Sequence, residues 1–278
     1  MADTIAPVWD ALASKSRTAL VRAERATLDA LRKAVTASTA PALAKLARLP
    51  TSDRRAAAEA GIAIARAATP KLTTAFAGAL SAQRLATKGA ALTRLADEWT
   101  EVRREVKALG FTDPGPMKAR KILTPTDLAA VESTTGSYVA AWTSATSTAL
   151  WAWADDEEDD ATPAGAVGDA TEAQDYRVRR IATTDTAQAY SDAREDATHA
   201  TAQQHRGATW IPGLLMRWDS TLDKRICKVC RGMNGTLRLW GTRWPGKRAP
   251  GHVHVCCRCD AHTVFVPLRI PPLESEAA

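Results

Sequence analysis

Apolar residues recur along the first half of the chain at helical spacing. Leu92, Leu95, Trp99, Val102, Val106 and Leu109 follow one another at steps of 3, 4, 3, 4 and 3, which places all six on one stripe of a helix from about Ala90 to Leu109. The stripe predicts core packing between neighbouring helices, with self-association along a coiled-coil-like seam as the alternative. Gly110 stands where a helix C-terminus expects a glycine. From Trp9 to about Ala154 the pattern reads as helices punctuated by Pro41, Pro50 and Pro70, with Thr51 or Ser52 capping a segment that begins near Asp53. A further start signal is Thr124-Pro125-Thr126-Asp127, where a capping hydroxyl, a proline at the first helical position and an acidic first turn agree. That helix should reach about Trp153.

Asp155 to Asp160 is Asp-Asp-Glu-Glu-Asp-Asp, and Thr162-Pro163-Ala164-Gly165 follows. Six adjacent like charges repel and resist burial, so residues 155–175 are expected as an acidic flexible linker between domains. Beyond it, Gln174 to about Gln204 has Val178, Ile181, Asp185 and Gln188 along one helical line. Gly207, Pro212 and Gly213 then break the pattern, and short strand-like pieces follow at Leu237 to Trp240 and His262 to Val266. The expected fold is mainly α: a long-helix region over 1–154, then a domain over 176–278 that ends in a small α+β module at 217–269.

Composition agrees with long, closely packed helices, since 45% of residues are hydrophobic but only 5% are aromatic. Residues Ser133 to Ala154 carry no charge and include Trp142, Trp151 and Trp153. Nine of those twenty-two are Ser or Thr, so a buried helix is expected there and no membrane partner. Asp3, Asp10 and Lys15 interrupt the amino terminus, so no secretion signal is expected.

Charge changes the picture only when it is located. The chain carries a formal +6, yet Arg217 to Arg269 holds eleven Lys or Arg and three Asp, a net of +8 that leaves −2 for the rest. The basicity is local and predicts an anionic partner at that end.

All five cysteines lie in the same stretch. Cys227-Lys-Val-Cys230 is a two-residue-spaced pair whose sulfurs a tight turn can bring to one tetrahedral ion. About twenty residues on, His254-Val-Cys-Cys257-Arg-Cys259 can close the site from the other side. The expected cofactor is structural zinc on Cys227, Cys230, His254 and Cys257, with Cys259 the alternate to Cys257. Cys256 is the weakest candidate, since adjacent side chains diverge, and His252 competes with His254. Four Cys or His ligands leave no position for water, so such an ion catalyses nothing. Around it Arg231, Arg238, Arg243, Lys247, Arg248 and Arg258, interleaved with Trp240 and Trp244, should form a rigid basic face suited to phosphate or to an acidic protein groove.

These residues also carry a resemblance. Trp218-Asp-Ser-Thr-Leu-Asp223-Lys-Arg-Ile-Cys227-Lys-Val-Cys230, then Met233-Asn-Gly235, His254 and Cys257-Arg258-Cys259, resemble the C-terminal signature of the bacteriophage minor head (head morphogenesis) proteins typified by the F protein of phage Mu. Upstream, Ile181-Ala182-Thr183-Thr184-Asp185-Thr186 with Ala189-Tyr190-Ser191-Asp192-Ala193 is similar to that family's other hallmark. The likeness covers about residues 176–268. It implies a non-enzymatic virion component, made in the host cytoplasm during assembly, that meets portal, major capsid or scaffold proteins, or packaged DNA without sequence preference.

The competing expectation is a nuclease of the His-Asn-His type or another DNA-binding protein. A nuclease needs a general-base histidine outside the structural zinc, for which His252 and His262 are the neighbours, and a second metal site. No Gly-rich phosphate loop or nucleophile elbow is present.

Overall fold

The computed structural model describes residues 7–117, 119–156, 161–220, 227–244 and 249–266. They form a mainly α fold with a small α+β C-terminal module. In chain order the elements are α1 (Pro7–Leu46), α2 (Arg54–Ala108), α3 (Pro125–Asp155), α4 (Pro163–Ala173), α5 (Asp175–Gln204), a 3-10 turn (Ile211–Gly213), β1 (Leu214–Asp219), α6 (Lys228–Met233), β2 (Leu237–Leu239) and β3 (Asp260–Phe265).

Helix boundaries follow local chemistry, though not always the residues expected. Thr124 caps α3 in a reciprocal box: its hydroxyl accepts the Asp127 amide at 3.2 Å and the Asp127 carboxylate accepts the Thr124 amide at 2.7 Å. The C-terminus of α2 is a Schellman turn on Gly110, at φ +83°, with Phe111 N–H donating to Val106 O and Gly110 N–H to Lys107 O. The cap of α2 is Asp53, whose carboxylate accepts the Ala56 amide at 3.0 Å, and not Thr51 or Ser52. Pro41 and Pro70, expected as breaks, lie inside α1 and α2. A proline removes one ladder donor, and at Pro70 the deprived Arg66 carbonyl is taken by the Thr69 hydroxyl, so the helix continues.

The described residues fall into two compact units, and the boundary is not the acidic run. One unit comprises 23–86 and 123–186, the other 1–22, 87–122 and 187–278, so α1, α2 and α5 each contribute to both. The segment expected as a flexible linker contains α4: Thr162 caps it through the Gly165 amide at 3.1 Å, Pro163 starts it, and Val167 is buried beside Leu46 and Leu150. Burial of one apolar side chain and a good cap decide that stretch, while Glu157 to Asp160 lie outside the described residues.

In the first unit, Leu31, Val35, Leu72, Phe76, Leu80, Tyr138 and Trp142 form the core, with Phe76 stacked on Tyr138 at 4.4 Å. The uncharged stretch of α3 buries Tyr138, Trp142, Leu150 and Trp153 there. No helix among the described residues is long and apolar enough to cross a membrane. The buried Arg84 guanidinium lies between Asp127, at 2.7 Å, and Asp185.

In the second unit the α2 stripe is spent internally. Trp99, Val102 and Val106 share one core with Trp9, Trp210, Leu214, Trp218, Cys230, Cys257 and Cys259, while Leu109 is left 48% exposed. Trp99, Val102 and Val106 of the stripe are therefore core packing against the C-terminal module. Trp99 stacks on Trp240 at 5.2 Å. The sheet is antiparallel in the order β2-β1-β3, with Leu215 opposite both Leu239 and Val264. β1 was not foreseen, because its run Leu-Leu-Met-Arg-Trp-Asp lacks clean alternation.

Arg194 of α5 ties this unit together. Both its bonds to Glu98 of α2 are short, at 2.8 and 2.7 Å, Asp260 lies 3.5 Å away, and the Glu98 carboxylate also accepts the Thr263 amide. Burial opposes the charge, but Glu98 and Asp260 raise the guanidinium above its usual pKa. Arg194→Ala should cost about 3–5 kcal/mol because it strands two buried carboxylates. Arg243→Ala, which breaks an exposed pair with Asp196, should cost no more than about 0.5 kcal/mol. Urea unfolding of the two variants measures the difference.

Candidate metal centre

The first half of the site is a helix start. Cys227 is the N-cap of α6, and its sulfur accepts the Cys230 amide at 3.3 Å, so the turn that begins the helix also turns both thiols to one side. Gly235, at φ +79°, ends the turn after α6 and donates its N–H to Trp218 O at 2.9 Å, fixing the pair against β1. The second half comes from the loop before β3. Gly251 lies so close to α5 that a Cβ there would meet the Ala187 carbonyl oxygen at 2.7 Å, and Cys256 adopts φ +61°. That left-handed residue bends the chain so that Cys257 and Cys259, not Cys256, enter the interior.

Two groups of soft donors result. Cys227, Cys230 and His254 offer ligand atoms within 4.8 Å of one another, and so do Cys230, Cys257 and Cys259. Cys230 Sγ is common to both, 3.1 Å from His254 Nε2 and 3.8 Å from Cys257 Sγ. A tetrahedral ion with metal–sulfur bonds near 2.3 Å separates its sulfurs by about 3.8 Å, so the second spacing suits a shared metal. His254 Nδ1 lies 2.7 Å from Val255 O; donation there leaves Nε2 unprotonated toward the sulfurs, as a metal ligand requires. The cluster could hold a metal ion, and each sequence-predicted ligand, the alternate Cys259 included, belongs to it.

Electrostatics supports the same chemistry. The Cys259 thiol donates to Cys257 and holds the latter's pKa down at about 5, against the opposing effect of burial. Cys259 is pushed up, first by that hydrogen bond and then by burial, and burial with the Cys227 contact raises Cys230 to about 12. For Cys227 burial works upward, but the Cys230 amide and the nearby His254 outweigh it and the thiol sits below its usual value. One thiolate shared among neighbouring thiols is the arrangement a divalent cation replaces, releasing protons as it binds.

Ser220 is a residue the sequence pattern did not single out. It is fully buried; its hydroxyl donates to Cys230 O at 2.5 Å, accepts Trp218 Nε1–H at 3.1 Å and lies 3.6 Å from Cys259 Sγ, while its own amide donates to Asn234 Oδ1. Nothing in the spacing marks a lone serine; only the folded geometry puts it behind both halves of the cluster.

The basic face is less uniform than expected. Arg231 is exposed, Arg243 pairs with Asp196, Arg258 is half-buried, and Arg238 lies 5.1 Å over the Trp244 ring. Lys247 and Arg248 lie outside the described residues. Trp240 and Trp244 are not interleaved on the surface but buried in the core, Trp218 meeting Trp244 edge-on at 5.1 Å. Large rings cost least when removed from water, which overrides the surface pattern. Two of the other histidines face carboxylates: His262, 2% exposed, sits 2.9 Å from Asp219 and 3.7 Å from Asp260, and His252 Nε2 is 2.7 Å from Asp192 Oδ1. Of the upstream hallmark, Asp185 neutralises Arg84 and Tyr190 bonds to Ser16 at 2.8 Å.

Compared with family models, with curated proteins and with solved structures, the chain matches none.

The cluster predicts metal uptake that depends on named sulfurs. Native mass spectrometry of the reduced protein should show about one zinc equivalent, lost in Cys227→Ser/Cys230→Ser and retained in Cys256→Ser. Full occupancy in the double variant would place the ion elsewhere.

Proposed function

We propose that the cluster holds one structural zinc ion on Cys227, Cys230, His254 and Cys257, and that the protein is a non-enzymatic minor head component of a bacteriophage. The observation that carries the metal part is the convergence of five soft donors inside the core of a small sheet. A thiolate and imidazole set suits zinc and disfavours hard cations that need oxygen ligands. Zinc with four such ligands supplies no reactive water; it fixes the fold of a loop-rich segment.

The head-component part rests on the ordered signature from Ile181 to Cys259 and on the local charge of Arg217 to Arg269. A rigid metal-bound module carrying Arg231 and Arg243 at its surface meets an anionic partner, either packaged DNA or an acidic groove of portal, capsid or scaffold. The nuclease alternative must use His252 or His262 as base. His262 is buried between two carboxylates, and His252 is already paired with Asp192.

Two outcomes follow. If the partner is DNA, log K should fall against log salt with a slope of about −0.9 for each phosphate neutralised, whatever the sequence; binding indifferent to salt would select the protein groove. Strand cleavage with added magnesium or manganese, abolished by His252→Ala, would overturn the non-enzymatic reading, and absence of the protein from purified DNA-filled heads would remove the virion assignment. Separately, chelation should speed hydrogen exchange in β1, α6 and β3 and also around Trp99 to Val106, which share their core, while the Leu72 to Leu80 segment of the other core keeps its protection.

A further inference from the structure

The cluster contains one more soft donor than a tetrahedral ion uses. Zinc on four ligands leaves a fifth sulfur among the metal-binding atoms, and here that sulfur is no bystander: Cys259 is buried, lies within 4.8 Å of both Cys230 and Cys257, and is held in place by Ser220. The donors divide into two complete groups of three that share a single vertex, Cys230 Sγ.

A shared thiolate is the feature that lets two soft ions sit side by side, because a sulfur anion has lone pairs enough to bridge. We propose that the same cluster binds two copper(I) ions, one on Cys227, Cys230 and His254 and one on Cys230, Cys257 and Cys259, with Cys230 as the bridging thiolate. Copper(I) is a soft, singly charged ion suited to thiolate donors, and unlike zinc it is satisfied by three ligands. Two three-coordinate ions sharing one sulfur use all five donors and leave none over. Each ion enters as copper(I) and displaces thiol protons to solvent, so no electron is transferred. The inference rests on the reading of the cluster as a metal centre.

Anaerobic titration of the full-length reduced protein with acetonitrile-stabilised copper(I), read by native mass spectrometry and by copper–thiolate luminescence, tests it. The wild-type chain should saturate at about two copper ions. Cys259→Ser and Cys227→Ser should each keep about one, Cys230→Ser should lose both to a competing copper(I) chelator, and Cys256→Ser should match wild type. Saturation at one ion overturns the proposal, as does retention of both by Cys230→Ser or an equal loss in Cys256→Ser, which would mark adventitious thiol binding. Zinc analysis of the protein as purified, before copper is added, separates the two readings: about one zinc there with saturation of the stripped protein at one copper defeats only the bridged pair, and no zinc there with saturation at two coppers defeats only structural zinc.

Discussion

A guanidinium cannot stay charged inside an apolar core unless carboxylates meet it, and Arg194 sets that condition for the whole unit that contains the cysteine cluster. Its partners come from separate parts of the chain, Glu98 on α2 and Asp260 at the start of β3. Satisfying one cation therefore fixes a long helix, a second helix and a strand against each other. Glu98 then accepts the Thr263 amide, so the carboxylate also registers β3. Removal of Arg194 leaves the buried Glu98 and Asp260 without their cation, a cost far larger than that of an exposed pair.

The cysteine–histidine cluster inherits its geometry from this frame. Asp260 directly follows Cys259, so the residue that neutralises Arg194 also anchors the C-terminal arm of the ligand loop. Ser220 and Gly235 anchor the other arm through β1. Cys230, Cys257 and Cys259 are consequently buried in the core of Trp99, Trp218 and Trp240, while Cys227 is half-buried. A cluster of thiols in that environment is poorly solvated and holds its negative charge on few atoms, a setting that a soft cation relieves.

The helices show how little a single local rule decides. Proline interrupts a ladder, yet Pro70 sits within a continuous helix because a neighbouring threonine takes the orphaned carbonyl. Acidic repulsion argues for a linker, yet Thr162, Pro163 and Val167 begin a helix directly after the acidic run. Local electrostatic preference is worth tenths of a kcal/mol to about one, and burial of one aliphatic side chain exceeds it.

Periodicity, caps and donor spacing were legible in the sequence alone. The α2 stripe, the Thr124 capping box, Gly110 as a helix stop, the long α5 and the convergence of Cys227, Cys230, His254, Cys257 and Cys259 all follow from contacts between residues near in sequence or from ligand chemistry that few residue types can supply. Tertiary structure alone decided what those elements face. It paired Arg194 with Glu98 and Asp260, turned the α2 stripe toward the C-terminal module, buried Trp240 and Trp244, placed Ser220 behind the cysteines and moved the boundary between compact units into the middle of three helices. Each of these depends on the free energy of joining groups 10 to 165 positions apart, from Ser220 Oγ on Cys230 O to the Thr263 amide on Glu98. Hydrophobic burial supplies that free energy without direction, so a one-dimensional pattern marks which faces must be covered and not which partner covers them.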